Sequence, residues 1–178
     1  MEKNVMVQYC LHGDYAHALD KSKENSEERE WFEGWSENTN GGLGVWEYFL
    51  IGDLRPDKTE NKAILPLAYR IRDNISFLKS KGTRYYFTQC SSKYWRHNIF
   101  TFYATARLLW DPDMDFQKFK DDYFAKMYGN AGKEIEEYYS TIEESVAKSD
   151  WHPSVYSDVA VPSPKVFTPQ VIEKCGKL

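Results

Sequence analysis

The strongest constraint on the fold of this chain is a threefold alternation of β-prone runs and helical segments within its first 111 residues. The β-prone runs at 5–10, 43–49 and 83–89 are each followed by a polar segment and then by an amphipathic stretch. Strands that alternate with helices in this way are typical of βαβ units, whose strands pair in parallel. The sequence therefore predicts an α/β fold with three βα units.

The helices of these units are predicted from hydrophobic spacing and from stop signals. The clearest lies at 65–81, where apolar side chains recur at helical spacing and Gly82 supplies the stop. The other two are predicted at 27–39 and 95–110. The connections from helix to the next strand are short, whereas those that follow the strands are long. Long loops after the strands are typical of a functional face at the carboxyl ends of a parallel sheet.

Beyond residue 111 the pattern predicts helices only. A helical segment at 112–149 follows the three units, and 150–178 is a proline-rich, irregular tail. Thr168 and Pro169 have the residue types of a helix cap and first helical position, although the chain ends nine residues later. We therefore predict three regions, at 1–111, 112–149 and 150–178, with a truncated helix at the end of the last.

Charge, hydropathy and cysteine content exclude several functions. The net charge is −4 and the 23 basic residues are scattered, so no nucleic-acid partner is expected. No apolar run approaches the roughly 20 residues of a membrane span, so no membrane partner is expected. The three cysteines are far apart, which argues against a zinc ribbon or a disulfide scaffold. The first residues lack the pattern of a signal peptide.

Several stretches of this sequence resemble one bacterial family. They are YAHALD at 15–20, VWEYF at 45–49, GTRYYFTQ at 82–89, ARLLWDPDMD at 106–115 and MYGNAGKEIEEYY at 127–139. Over roughly 5–148 the chain resembles the C-terminal part of proteins with domain of unknown function 4838. Those proteins are similar to TIM-barrel glycoside hydrolases of the β-hexosaminidase and α-glucuronidase type.

The resemblance implies a partial (β/α) barrel, in which the three units are the last three of the barrel. With 178 residues the chain is shorter than the roughly 250 of a complete barrel, so we expect it to be part of a longer protein. The general acid of such barrels is expected near the fourth strand, before this sequence begins. The family also implies a periplasmic or extracellular location. Open sheet edges predict self-association, or association with the rest of the barrel.

Glu47 is the candidate catalytic residue. Alternation along the strand places Val45 and Glu47 on one face of the sheet. An unpaired carboxylate facing the helices would cost several kcal/mol, so Glu47 is expected to face the barrel interior. There it could act as an acid, a base or a hydroxyl acceptor. The alternative is an interior ion pair with Arg84 or Lys93.

Binding residues are expected where the strands end. A sugar site needs hydrogen-bonding groups for hydroxyls and a ring for the apolar face of a pyranose. Twenty-nine aromatic side chains, six Trp, thirteen Tyr and ten Phe, fit such a pocket or a thick core. Trp46 and Tyr48 are candidates from the second strand, with core packing as their alternative. The other candidates are His12, Asp14, Tyr15, His17 and Asp20 after the first strand, and Gln89, Tyr94, Trp95 and Arg96 around the end of the third.

The predicted partner is therefore a carbohydrate, an oligosaccharide or a polysaccharide. Glycoside hydrolysis usually takes two carboxylates, and no partner for Glu47 is compelling by spacing. His12 and His17 lie five residues apart on a loop, which is no recognised ligand spacing, so neither metal nor cofactor is expected. A buried structural role is the alternative for His17. The resemblance thus implies the C-terminal portion of a glycoside-hydrolase-like protein that acts on or binds carbohydrate at the C-terminal mouth of a barrel. Two alternatives stay open: a non-catalytic carbohydrate-binding module and a self-associating structural fragment.

Overall fold

The computed structural model describes residues 4–40, 42–49, 65–90, 98–153 and 164–178. The strands among them are β1 (Val7–Cys10), β2 (Leu43–Phe49) and β3 (Thr83–Cys90). The α-helices are α1 (Ser26–Asn38), α2 (Ala68–Ser80), α3 (Ile99–Trp110), α4 (Phe116–Tyr128), α5 (Gly132–Lys148) and α6 (Pro169–Cys175). A 3₁₀ turn at Gly129–Ala131 joins α4 to α5.

The three strands pair in parallel in the order β1-β2-β3. Val7 lies opposite Leu43, and Trp46 lies opposite Phe87. Because all three strands run the same way, their carboxyl ends lie at one edge of the sheet. The predicted α/β class is confirmed: three parallel βα units form an open sheet, and a long helical segment follows them.

One face of the sheet packs against helices. Leu43 and Val45 of β2 are buried there with Phe32 of α1 and Leu78 of α2. The helix α2 forms because its apolar side chains share one stripe, and Gly82 lies just beyond its end with φ at +76°. Burial of this apolar face is what holds the first two units together.

The opposite face of the sheet is rich in aromatic side chains. Trp46 and Tyr48 project there from β2, and Tyr85 and Phe87 project from β3. Both of the β3 side chains are exposed. The described helices therefore cover one face of the sheet and leave this aromatic face open.

A second apolar cluster joins the third unit to the helical segment. Phe100 of α3 lies at its centre, with ring centroids 4.8 Å from both Tyr123 and Phe124 of α4. Asp115 begins α4 by accepting a hydrogen bond from the backbone of Lys118, which is the usual role of an aspartate at a helix N-cap. This shared core makes the helical segment continuous with α2 and α3.

The element bounds differ from the predicted ones at several helix or strand starts, by one residue for α1 and by more for the others. β1 begins at Val7 instead of residue 5, and α2 begins at Ala68 instead of 65. α3 begins at Ile99, and the predicted start at 95 lies outside the described residues. Thr168 caps α6 through the Val171 amide, as predicted. None of the described helices combines the length and the apolar character needed to cross a membrane.

Candidate functional site at the carboxyl ends of the strands

The loop that follows β1 is held by the start of α1. The carboxylate of Glu28 accepts a hydrogen bond from the His12 amide at 3.1 Å, and the Asn25 side chain accepts one from the Asp14 amide at 2.7 Å. A Cβ on Gly13 would lie 2.3 Å from Asn25 Oδ1, so this close approach requires glycine. These contacts fix the shape of the loop against α1.

Asp14, His17 and His152 form a compact group, which we call the Asp14 cluster. Asp14 Oδ2 lies 2.6 Å from His17 Nδ1 and 2.7 Å from His152 Nδ1. The two imidazole centroids are 4.9 Å apart. Although His152 is 138 residues from Asp14 in sequence, the fold places them in direct contact.

The chain after α5 is tied to the β1–α1 loop at further points. The Tyr15 amide donates a hydrogen bond to the Pro153 carbonyl at 2.8 Å. The Ser149 backbone, close to the His17 ring, helps to raise the pKa of that imidazole. Together with the His152–Asp14 contact, the Tyr15–Pro153 hydrogen bond fixes residues 152 and 153 against the loop.

Hydrogen bonds within the Asp14 cluster stabilise the charged forms of its side chains. Burial alone would raise the pKa of Asp14, but hydrogen bonds from His17 and His152 bring that pKa below its ordinary value. The Asp14 hydrogen bond raises the pKa of His17 against the opposing effect of burial. The arrangement thus favours a carboxylate beside a protonated imidazole.

The expectation that Glu47 faces away from the helices is wrong. Its side chain is 0% exposed and lies 2.6 Å from Nη2 of Arg70 on α2. Asn74 of the same helix donates to Glu47 at 3.1 Å, and the Tyr86 hydroxyl of β3 donates to its other oxygen. Arg70 and Asn74 supply the charge and the hydrogen bond that make a carboxylate tolerable on this face.

The ion pair resembles the predicted alternative in kind but differs in partner. Arg84, one of the two partners expected, is exposed, and Lys93 lies outside the described residues. Burial raises the pKa of Tyr86, and the neighbouring Glu47 raises it further. Tyr86 therefore stays a neutral donor to the Glu47 carboxylate. No structural observation tests the predicted catalytic role of Glu47, which stays a prediction.

Two nitrogen atoms of the Arg70 guanidinium group are buried but not hydrogen-bonded within the described residues. The Arg70 side chain is 7% exposed, and the two atoms are Nε and Nη1. The guanidinium carbon lies 5.8 Å from the centroid of the Tyr15 ring. Burial raises the pKa of Tyr15 above its ordinary value, so this hydroxyl stays neutral, and within the described part of the chain it also has no hydrogen-bond partner.

Five rings form one continuous group, which we call the aromatic surface. Tyr48 is at its centre, with centroid distances of 5.8 Å to His12, 6.4 Å to Tyr15 and 6.1 Å to Trp46. Trp46 in turn lies 4.9 Å from Phe87. The aromatic surface begins on the open face of the sheet and reaches the loop at the carboxyl end of β1.

Of the remaining predicted binding residues, two lie in the described part of the chain and three lie outside it. Gln89 is half-buried opposite Tyr48 in the sheet register, whereas Asp20 is exposed and its carbonyl accepts from Arg29. The structure therefore brings Gln89, but not Asp20, alongside the aromatic surface. The predicted residues outside the described part of the chain are Tyr94, Trp95 and Arg96.

Sequence reasoning missed several residues of this region. Arg70 and Asn74 lie four residues apart and next to the apolar stripe of α2, which is a signal that two polar groups enter the interior. Asn25 precedes the first turn of α1, which is a position typical of capping side chains, but its amide oxygen instead holds the Asp14 backbone. His152 carries no sequence signal, because its partners are distant in the chain.

Glu143 of α5 lies close to this region and is buried. It lines a cavity of about 190 Å³ together with His17, Lys21 and Asp73, and it accepts a hydrogen bond from the Tyr69 amide at 2.7 Å. Burial raises its pKa to about 7, against the opposing effects of that hydrogen bond and of nearby basic groups. The Glu143 side chain therefore titrates near neutral pH in the folded protein.

We predict that Glu143 makes the fold less stable as the pH rises. Its folded-state pKa of about 7 exceeds the ordinary value of 4.5, so the stabilisation is fully present below pH 4.5 and is lost as the pH passes 7. The loss should be roughly 3 kcal/mol, and Glu143→Gln should remove it. Urea unfolding of both proteins at several pH values measures this. Parallel pH profiles for wild type and variant would contradict the prediction.

Comparison with known proteins gives one match. A sequence profile of the family described as "Domain of unknown function (DUF4838)" matches residues 1–140. No curated protein and no solved structure matches the chain.

Proposed function

This chain belongs to the DUF4838 family, and we propose that it binds a carbohydrate, an oligosaccharide or a polysaccharide, on the aromatic surface at the carboxyl ends of its strands. The observation that carries the proposal is the position of Tyr48. Its ring contacts those of His12, Tyr15 and Trp46 at the edge where the long β1–α1 loop begins. Aromatic faces pack against the C–H groups of a pyranose, so a group of rings at this edge is suited to a sugar.

Polar groups beside the rings support the same proposal. The imidazole of His12 is on the exposed side of the loop, and Gln89 lies across from Tyr48 at the end of β3. The amide of Gln89 offers both donors and acceptors, and the imidazole offers one of each when neutral. Sugar hydroxyls need such groups next to an apolar platform, since rings alone give little orientation.

The geometry of Glu47 favours binding over hydrolysis. Both of its oxygens accept hydrogen bonds inside the protein, from Asn74 and Tyr86, and Arg70 neutralises its charge. A glycosidase carboxylate has to face the scissile bond, with its partner roughly 5 to 9.5 Å away. We therefore assign Glu47 to holding α2 against the sheet, and a catalytic Glu47 is the alternative that an assay must exclude.

We further propose that the three βα units are part of a (β/α) barrel completed by strands outside this sequence. The parallel order, the long β1–α1 loop and the open aromatic face support this. In a closed barrel that face would line the interior and the aromatic surface would lie at its carboxyl-end opening.

Loss of the Tyr48 ring should weaken carbohydrate binding at least tenfold, because this ring joins both halves of the aromatic surface. The measurement is isothermal titration calorimetry with soluble oligosaccharides of glucose, xylose and N-acetylglucosamine. Tyr48→Ala tests the ring, and Trp110→Ala is the matched control, since Trp110 is 87% exposed and outside the surface. Equal affinity of wild type and Tyr48→Ala, or no binding to any of these sugars, would contradict the proposal.

A second assay separates binding from hydrolysis. Aryl glycosides are incubated with the wild type and with Glu47→Gln, after circular dichroism has shown that both are folded. Binding without catalysis by Glu47 predicts that the two proteins give the same rate. A wild-type rate that disappears in folded Glu47→Gln would make Glu47 catalytic.

A further inference from the structure

We propose that the Asp14 cluster is a binding site for a divalent transition metal ion, with zinc as the ion that it matches best. The proposal does not depend on carbohydrate binding, because none of its three residues is needed for the aromatic surface. The sequence predicts no metal, because His12 and His17 lack a ligand spacing. The contact of His152 with Asp14 appears only in the folded structure.

The donor atoms of the cluster already converge. One ligand atom from each of Asp14, His17 and His152 lies within 4.8 Å of the others. Zinc bonds to nitrogen and oxygen are about 2.0–2.1 Å, so adjacent donors of a tetrahedral ion lie roughly 3.3 Å apart. The Asp14 oxygen is 2.6 Å and 2.7 Å from the two imidazole nitrogens. A small outward movement of both rings is enough to admit the ion between them.

The groups around the cluster orient its donors as metal ligands require. The second oxygen of Asp14 accepts from the Ala16 amide at 2.8 Å, which leaves the first oxygen directed at the imidazoles. His152 Nε2, on the far side of the ring from the Asp14 contact, lies 3.8 Å from a carboxylate oxygen of Glu24. Carboxylate or carbonyl partners of this kind fix the ring orientation of metal-binding histidines.

Burial and access also fit an ion. The side chain of Asp14 is almost fully buried, whereas that of His152 is 31% exposed, so the cluster can be reached from solvent. Three protein donors leave a fourth position for water. Two imidazoles and one carboxylate favour zinc and its neighbours in the first transition row over magnesium and calcium, which prefer oxygen ligands.

A bound ion would join two parts of the chain that are distant in sequence. Asp14 and His17 belong to the β1–α1 loop, and His152 belongs to the segment after α5. Since an ion that binds only the folded state stabilises it, zinc should raise the melting temperature of the protein.

The test is a calorimetric titration of the EDTA-treated full chain with zinc chloride, and with magnesium chloride for comparison. We expect one zinc ion per chain with a dissociation constant in the micromolar range or below, and no saturable magnesium binding. His17→Ala and His152→Ala should each weaken zinc binding at least tenfold. His12→Ala, which removes a histidine of the same loop outside the cluster, should change it less than twofold.

Cobalt(II) provides a second readout, because its visible absorption reports nitrogen and oxygen coordination directly. We expect a tetrahedral spectrum in the wild type and in His12→Ala, and its loss in His152→Gln. His152 is partly exposed, so this variant keeps the test valid even where His17→Ala does not fold. Absence of saturable zinc binding, or equal binding by the wild type and His152→Gln, would overturn the proposal and leave a hydrogen-bonded histidine–carboxylate cluster.

Discussion

Replacement of Arg70 by methionine should destabilise the protein by about 3 to 5 kcal/mol. Arg70→Met keeps the apolar stem of the side chain but leaves the Glu47 carboxylate without its cation in a site that is 0% exposed. Asn74 and Tyr86 still donate hydrogen bonds to Glu47, but they carry no compensating charge. Urea unfolding followed by circular dichroism measures the change in the free energy of unfolding.

Two further variants show that the effect belongs to the buried pair. Arg72→Met changes an arginine of the same helix whose side chain is 36% exposed and paired with Asp73, so its effect should stay below about 1 kcal/mol. The double variant Glu47→Gln with Arg70→Met should lose less stability than the sum of the two single variants, because neither charge is left alone. An Arg70→Met effect as small as that of Arg72→Met would show that the pair is not buried.

Truncation of Phe100 to alanine should also cost about 3 to 5 kcal/mol, because it opens a cavity in the core shared by α3, α4 and α5. The Phe100 side chain is 2% exposed, and its ring contacts those of Tyr123, Phe124 and Tyr139. The free energy of unfolding of Phe100→Ala is compared with that of Trp110→Ala, which alters an exposed ring of the same helix. We expect the control to lie within about 0.5 kcal/mol of the wild type.

The shape of the Phe100→Ala unfolding curve also tests the link between the βα units and the helical segment. A shared core predicts one cooperative transition that moves as a whole to lower urea concentration. A variant curve with a second transition, or one that does not move, would show that α4 and α5 fold independently of α3.

The fold class could be predicted because local signals and tertiary packing agree. VWEYF alternates as a strand must, Gly82 ends α2, and Asp115 caps α4, so each element is specified by residues within or next to it. The parallel pairing then follows from the alternation of strands with helices. These are the features for which neighbours in sequence supply most of the physical information.

The candidate site was less predictable because its decisive contacts are distant in sequence. Strand alternation put Val45 and Glu47 on one face but did not show which face the helices cover. An unpaired carboxylate would be costly on the helix side, but Arg70 of α2 pairs with Glu47 there. Likewise, the sequence placed Asp14 and His17 on one loop, but only the fold brings His152 to them.

The two faces of the sheet have different physical roles. Glu47 and Arg70 lie on the helix side of the sheet and hold α2 in place, whereas Trp46 and Tyr48 lie on the open side, where we propose that a carbohydrate binds. Under this proposal, adjacent residues of one strand serve stability and binding separately. A variant of the pair should change stability first, and a variant of the rings should change binding with little effect on the fold.

The most direct test of carbohydrate binding is the indole N–H resonance of Trp46, observed by NMR in protein carrying ¹⁵N-tryptophan and assigned with Trp46→Phe. The protein is titrated with an oligosaccharide that binds in calorimetry. We expect the Trp46 resonance to shift in proportion to the fraction of protein with sugar bound. The resonance of Trp110, at the end of α3, should stay in place. A shift of other indole resonances while that of Trp46 stays fixed would place the sugar elsewhere and contradict the account.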